Sequence, residues 1–186
     1  MTATAAALLS ACGASSTGGT GTTATSTAQP SRPTLPPRPR EINLTGVDTC
    51  TLFTPAQQKQ LGTDRAPMFT EYPDRFGNRR CDYRKAYSSP YFGYQIDAVT
   101  QEDATVYLTK ERDSVARVVS AAGFPAVEGR PPGDDRGCFT FVSTKNGQYL
   151  SVQYGESTGS NDTPEVACEK ARVAAELATQ TLLTQR

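Results

Sequence analysis

Cysteine is the residue type whose spacing carries the most chemistry in this sequence. Five are present, and the first, Cys12, closes Leu9-Ser10-Ala11-Cys12 directly after the short apolar run that starts at Ala5. That is the form of a bacterial lipoprotein cleavage site. The thiol receives a diacylglyceryl group and the chain is cut just before it, which demands small residues at the preceding positions so that backbone and thiol can enter the maturation enzymes. Paired acyl chains anchor a protein stably where a single one is marginal. The basic start of such a segment is missing before Ala5, so the true initiator is expected upstream of Met1.

With Cys12 assigned to lipid, Cys50, Cys81, Cys138 and Cys168 remain, an even number in a chain expected outside the cytoplasm. They read as two disulfides. Three pairings are open to four cysteines. The sequential one, Cys50 with Cys81 and Cys138 with Cys168, closes two similar loops and ties each half of the domain separately. A four-cysteine zinc site competes with this reading, but the close C-x-x-C pairs of such sites are missing. No metal and no cofactor is expected.

The chain contains no histidine. Ser-His-Asp and Cys-His catalysis, His-ligated metals and the usual near-neutral proton shuttle are therefore outside its chemistry. Asp134-Asp135 supplies too few close oxygens for calcium and reads as a turn. Any two of the 19 acidic residues could converge as a glycosidase pair, but nothing in the sequence singles one out. The remaining candidates are an aromatic and a basic cluster. Tyr83, Tyr87, Tyr91 and Tyr94 could stack on a sugar, lipid or peptide, and Arg79 and Arg84 could meet phosphate or carboxylate groups. The competing readings are a strand with alternate rings buried and an exposed edge that uses charge against strand addition.

These residues need elements to hold them. Gly, Ser and Thr dominate from Gly13 to Ala28, with five prolines between Pro30 and Pro39; neither stretch can bury a core. A flexible tether with a stiffer polyproline end follows, with a mean reach on the order of 30 Å. Beyond it, about 145 residues make one ordinary domain. Thr54-Pro55-Ala56-Gln57 has the order of a capping box with Pro at the first helical position, and Gly62 stops that helix after Leu61. Strands are predicted from Arg79 to Tyr83 and from Phe92 to Val99, with a turn near Ser88-Ser89-Pro90. Helical spacing predicts a helix over 101–113, and 115–127 reads as strands at a bend. Alternating apolar residues on both sides of Asn146-Gly147 give the strongest hairpin signal. The last segment, after Thr163-Pro164, is a helix with one stripe of alanines that includes Ala167, Ala171, Ala174, Ala175 and Ala178 and ends at Leu182. Antiparallel strands with helices at both ends make an α+β single domain, mainly an antiparallel sheet packed by a short N-terminal and a long C-terminal helix. The expected organisation is a truncated signal segment over 1–11, lipidated Cys12 and a disordered tether over 12–42, and a disulfide-stapled domain over 43–186.

Taken together, Cys12, the Thr/Pro-rich tether, Cys50-Thr51-Leu52-Phe53-Thr54-Pro55, Cys81 before an aromatic, Gly123-Phe124-Pro125-Ala126, Cys138 and the late Cys168-Glu169-Lys170-Ala171 resemble the actinobacterial lipoprotein family called domain of unknown function 3558. The resemblance covers essentially the whole folded part, with Tyr83 where that family often has Trp. It implies an envelope lipoprotein of unassigned activity. Two functions are carried forward. The first is a noncatalytic module that binds an envelope ligand or protein while anchored on the extracytoplasmic face of the membrane. The second is a carboxylate-dependent hydrolase of wall or lipid substrates. A net charge of zero gives no general attraction for nucleic acid.

Overall fold

Two antiparallel runs of strands build the sheet. In the computed structural model, which describes residues 33–109, 112–158 and 162–186, β1 (Met68–Phe69) pairs with β2 (Cys81–Lys85), and β2 turns back into β3 (Tyr91–Val99). On the other side β4 (Val115–Ala121), β5 (Phe124–Arg130), β6 (Gly137–Lys145) and β7 (Gln148–Thr158) form an antiparallel meander. Gly147 takes the left-handed conformation that the β6–β7 turn needs, φ +71°. At the β4–β5 turn Ala122 and Gly123 are both left-handed, φ +49° and +80°, as a two-residue turn matched to strand twist requires. β7 then pairs with β3, and the seven strands run in the order β1-β2-β3-β7-β6-β5-β4, antiparallel throughout. The expected signal segment and Cys12 lie outside the described residues.

Both helices follow from their caps. Thr54 and Gln57 exchange side-chain and backbone hydrogen bonds to open α1 (Pro55–Leu61), and Gly62 ends it in the left-handed region. Thr163 accepts from the Val166 N–H at the start of α2 (Pro164–Gln185). The alanine stripe of α2 and Leu182 are fully buried on one face of the sheet, against Phe124, Ala126, Val142, Leu150 and Val152. Small side chains let the helix axis lie close to the strands. The disulfide Cys138–Cys168 joins β6 to the second turn of α2, with Cα atoms 4.9 Å apart. The other disulfide, Cys50–Cys81, joins a short 3-10 helix (Thr49–Thr51) to β2, with Cα atoms 5.1 Å apart. Each closes a loop of about 30 residues, which on the chain-entropy argument contributes roughly 3.5 kcal/mol.

Two expectations are corrected. The helix expected over 101–113 is a single 3-10 segment, Ala104–Leu108. Asp103 caps it through the Thr105 N–H, and Thr109 closes it. The β-branched Thr105, Val106 and Thr109 disfavour a longer helix. The folded body also starts earlier than residue 43. Leu35 lies against the face of the sheet opposite α2, and Arg38 donates to Ser143 Oγ at 2.8 Å and to Asn146. Ile42 is buried, its N–H bonded to the Thr144 carbonyl at 2.8 Å. Apolar Leu35 and Ile42 supply the burial that the surrounding prolines cannot.

Tyr83 closes the first face. Fully buried, it donates its hydroxyl hydrogen to the Thr49 carbonyl at 2.8 Å and accepts from the Phe53 N–H. Burial pushes its phenol from an ordinary 10.0 up to about 12. The unfolded chain releases this proton near pH 10 while the folded protein retains it to about pH 12. The unfolded state therefore binds fewer protons in that window, and stability falls as pH rises through it. Tyr83→Phe is expected to remove this part of the alkaline slope. At neutral pH it takes the acceptor from the Phe53 N–H and one of two donors from the Thr49 carbonyl, which keeps the Leu52 N–H, and costs about 1 to 3 kcal/mol. Urea denaturation at neutral pH and across the alkaline window checks both.

Candidate functional site

The face of the sheet opposite α2 divides into two halves, and the register shows why. In one cross-strand row sit Asp97, Ser151, Phe141 and Val127; in the next, Asp82, Gln95, Gln153 and Phe139; in the outermost, Arg84, Gly93, Gly155 and Gly137. Toward β5 and β6 the residues are apolar. Val99, Val127, Phe139, Phe141 and Tyr149 form a second core that Leu35, Phe76, Tyr107 and Leu108 cover. Phe139 and Phe141, two apart on one strand, stack at 4.3 Å, and Tyr107 lies 4.4 Å from Phe141. Toward β2 and β3 the residues turn polar and the cover stops.

The uncovered part is an open groove of about 690 Å³. Its floor is the row Gly93, Gly155 and Gly137, where Gly155 presents bare backbone while Arg84 lies over Gly93 and the Asp134 carboxylate over Gly137. A glycine inside a strand allows close approach of a ligand or another backbone. A Cβ added at Gly155 would meet nothing within 4 Å. Around the floor stand Asp82, Arg84, Gln95, Gln153, Asp134 and Arg136, with Tyr91 at the rim. Asp134 is held by a turn in which its N–H bonds the Pro131 carbonyl at 3.2 Å and its carboxylate accepts from the Arg136 N–H at 2.9 Å.

Asp82 is the most consequential of these. Its side chain is 3 % exposed. One carboxylate oxygen accepts from Arg84, while the other, Oδ1, is buried with no hydrogen-bond partner. A buried acceptor left unpaired costs roughly 1 to 3 kcal/mol, more when charged. Asp82 thus leaves an unmet acceptor in the groove wall.

The sequence candidates separate. Tyr83 and Tyr94 are buried, 0 % and 3 % exposed, so neither presents a ring face to a ligand; both belong to the core beneath α2, where strand alternation sends odd and even residues to opposite faces. Burial also pushes the Tyr94 phenol up. Tyr87 is exposed, and Tyr91 reaches the groove rim. Arg84 lines the groove, but Arg79 does not. Its guanidinium lies 3.6 Å over the Phe69 ring, in a separate hollow bordered by Thr49 and Asn78. Nor does the basic cluster form an anion patch, since Arg80 bonds Asp97 at 2.9 Å and Arg84 bonds Asp82. Among the described residues no group of acids and cysteines is placed to hold a metal ion. Burial raises the Asp97 carboxyl, with Arg80 opposing that shift, but Asp97 is not part of the groove.

Sequence reasoning missed Asp82, the two glutamines and the glycine row. Gly93 and Gly155, each inside a strand pattern, were the available signal; that they fall side by side depends on register between strands distant in sequence.

Glycines on this face differ sharply in tolerance. At Gly129 an added Cβ would lie 2.6 Å from the Val115 carbonyl oxygen and 2.8 Å from both Ala116 and Phe139. Gly129→Ala is expected to cost about 1 to 3 kcal/mol through overpacking, whereas Gly155→Leu should stay within about 1 kcal/mol of the parent. Urea midpoints of the two variants make the comparison.

A family model described as a protein of unknown function, DUF3558, matches residues 7–181. No curated protein and no solved structure matches the chain.

Proposed function

This chain belongs to the family of proteins of unknown function described as DUF3558, and from that premise we propose that it is a noncatalytic binding module of the cell envelope, held on the extracytoplasmic face of the membrane by acyl chains on Cys12. The groove carries the binding half of this reading, above all the unpartnered Oδ1 of Asp82 beside a glycine floor. A groove of this kind offers fixed hydrogen-bonding groups and accessible backbone, which suits recognition.

The anchoring half rests on different residues. Leu9-Ser10-Ala11-Cys12 has the small residues that lipid transfer and cleavage need. Two disulfides suit an oxidising compartment. Among the described residues no helix is long and apolar enough to cross a membrane, so lipid is the anchor that this reading requires. In this reading the Gly/Ser/Thr-rich stretch after Cys12 is the link between the anchor and the domain.

The acids of the groove serve other groups. Asp134 caps its own turn, and Asp82 accepts from Arg84. No observation favours a hydrolytic pair over the binding reading.

Mass spectrometry of the protein extracted from its native envelope tests both halves. The expected result is a mature chain beginning at acylated Cys12, and envelope material that copurifies with the parent but not with Gly155→Leu. A native chain that retains Met1 to Ala11 without acylation would overturn the anchor. Equal copurification with both proteins would overturn the groove as the binding site.

A further inference from the structure

Resting on the reading of the groove as a binding site, we propose that its ligand is a neutral, hydroxyl-rich oligosaccharide chain. The charge of the walls is balanced. Arg84 and Arg136 face Asp82 and Asp134, so a polyanion or a polycation would meet as much repulsion as attraction. The groove therefore selects for hydrogen bonding without net charge.

The hydrogen-bonding groups set the ligand's chemistry further. Asp82 Oδ1 can only accept as a carboxylate, the Arg84 guanidinium can only donate, and the Gln95 amide beside them in the same row does both. A sugar hydroxyl is matched to such a set because one oxygen donates to the carboxylate while accepting from a neighbouring amide or guanidinium. An amide N–H or a carbonyl does only one of these. Gln153, on the adjoining strand, donates to Ser151 Oγ at 3.3 Å and keeps its carbonyl oxygen available for a second hydroxyl.

Shape points the same way. The floor lacks side chains at Gly155, between Arg84 over Gly93 and Asp134 over Gly137, so the face of a sugar ring can lie on the backbone there with its hydroxyls toward those two side chains. Tyr91, 40 % exposed at the rim, offers an aromatic surface for the next ring. The groove is open rather than enclosed, which leaves room for a ligand to extend beyond a single ring.

The test uses the full chain, isotopically labelled, and a panel of probes: linear oligosaccharides of glucose, mannose and galactose, inorganic phosphate, an acidic peptide and a basic peptide. At least one oligosaccharide is expected to shift the backbone amide resonances of Gly93, Gly137 and Gly155 and the side-chain amides of Gln95 and Gln153, with phosphate and both peptides silent. Asp82→Asn should weaken that binding roughly 10- to 100-fold, the usual effect of losing a hydrogen bond to a charged group. Gly155→Leu should abolish it while the rest of the spectrum stays that of the folded protein, so that a folding failure of the Asp82 variant cannot stand in for the result. If phosphate or a peptide shifts these resonances and no oligosaccharide does, the ligand class is wrong and the binding site survives. If no probe shifts them, both readings fall.

Discussion

A sheet has two faces to keep from water, and among the described residues there is one long helix to cover them. That imbalance governs the rest of the structure. α2 lays its alanine stripe along one face and is pinned there by Cys138–Cys168. The opposite face receives only improvised cover: Leu35 from the segment before the first helix, Phe76 from a loop, and Tyr107 and Leu108 from a 3-10 segment. Where that cover reaches, the strands carry Phe139, Phe141 and Tyr149. Where it ends, they carry Asp82, Gln95 and Gln153, because an uncovered apolar patch would drive association rather than solubility. The groove is thus the place where the supply of cover runs out, and its polarity follows from that boundary.

Topology sets where the boundary falls. β3 sits mid-sheet, beside β7, while β4 lies at the far edge, so the connection between β3 and β4 must cross from the middle of the sheet to its margin. It crosses on the face away from α2 and deposits Tyr107 over Phe139 and Phe141 on the way. Glu102, at the start of this crossing, is held by Arg75, by Arg112 and by the Tyr149 hydroxyl. β2 and the near ends of β3 and β7 lie off this route and stay open.

The first face is held by fewer, stronger constraints. Tyr83 joins β2 to the segment before α1 through two backbone groups, beside the Cys50–Cys81 bridge that links the same two pieces. Its ring packs edge-on against Phe53 at 4.6 Å. A covalent and a hydrogen-bonded link at one seam fix the tilt of β2, and with it the direction in which Asp82 and Arg84, its neighbours on the strand, project into the groove.

The sequence by itself determined what depends on neighbours along the chain. The capping box at Thr54, the Pro164 start and alanine stripe of α2, the Asn146-Gly147 hairpin and the even count of domain cysteines are all local patterns, and each element lies where its pattern puts it. Local pattern failed over 101–113, where apolar spacing suggested a full helix and the β-branched residues and the cap at Asp103 held it to a single short segment. It failed again at Tyr83 and Tyr94, since an aromatic in a strand reads the same whether its ring faces water or core. Only the tertiary structure decided the site. Gly137 and Gly155 face each other across one hairpin, but Gly93 comes from a strand far from both in sequence, and strand register aligns the three in one row. A shift of one residue would send Asp82 into the core and Tyr83 into solvent; the register that prevents this is enforced by burial on the α2 face, which no local pattern contains.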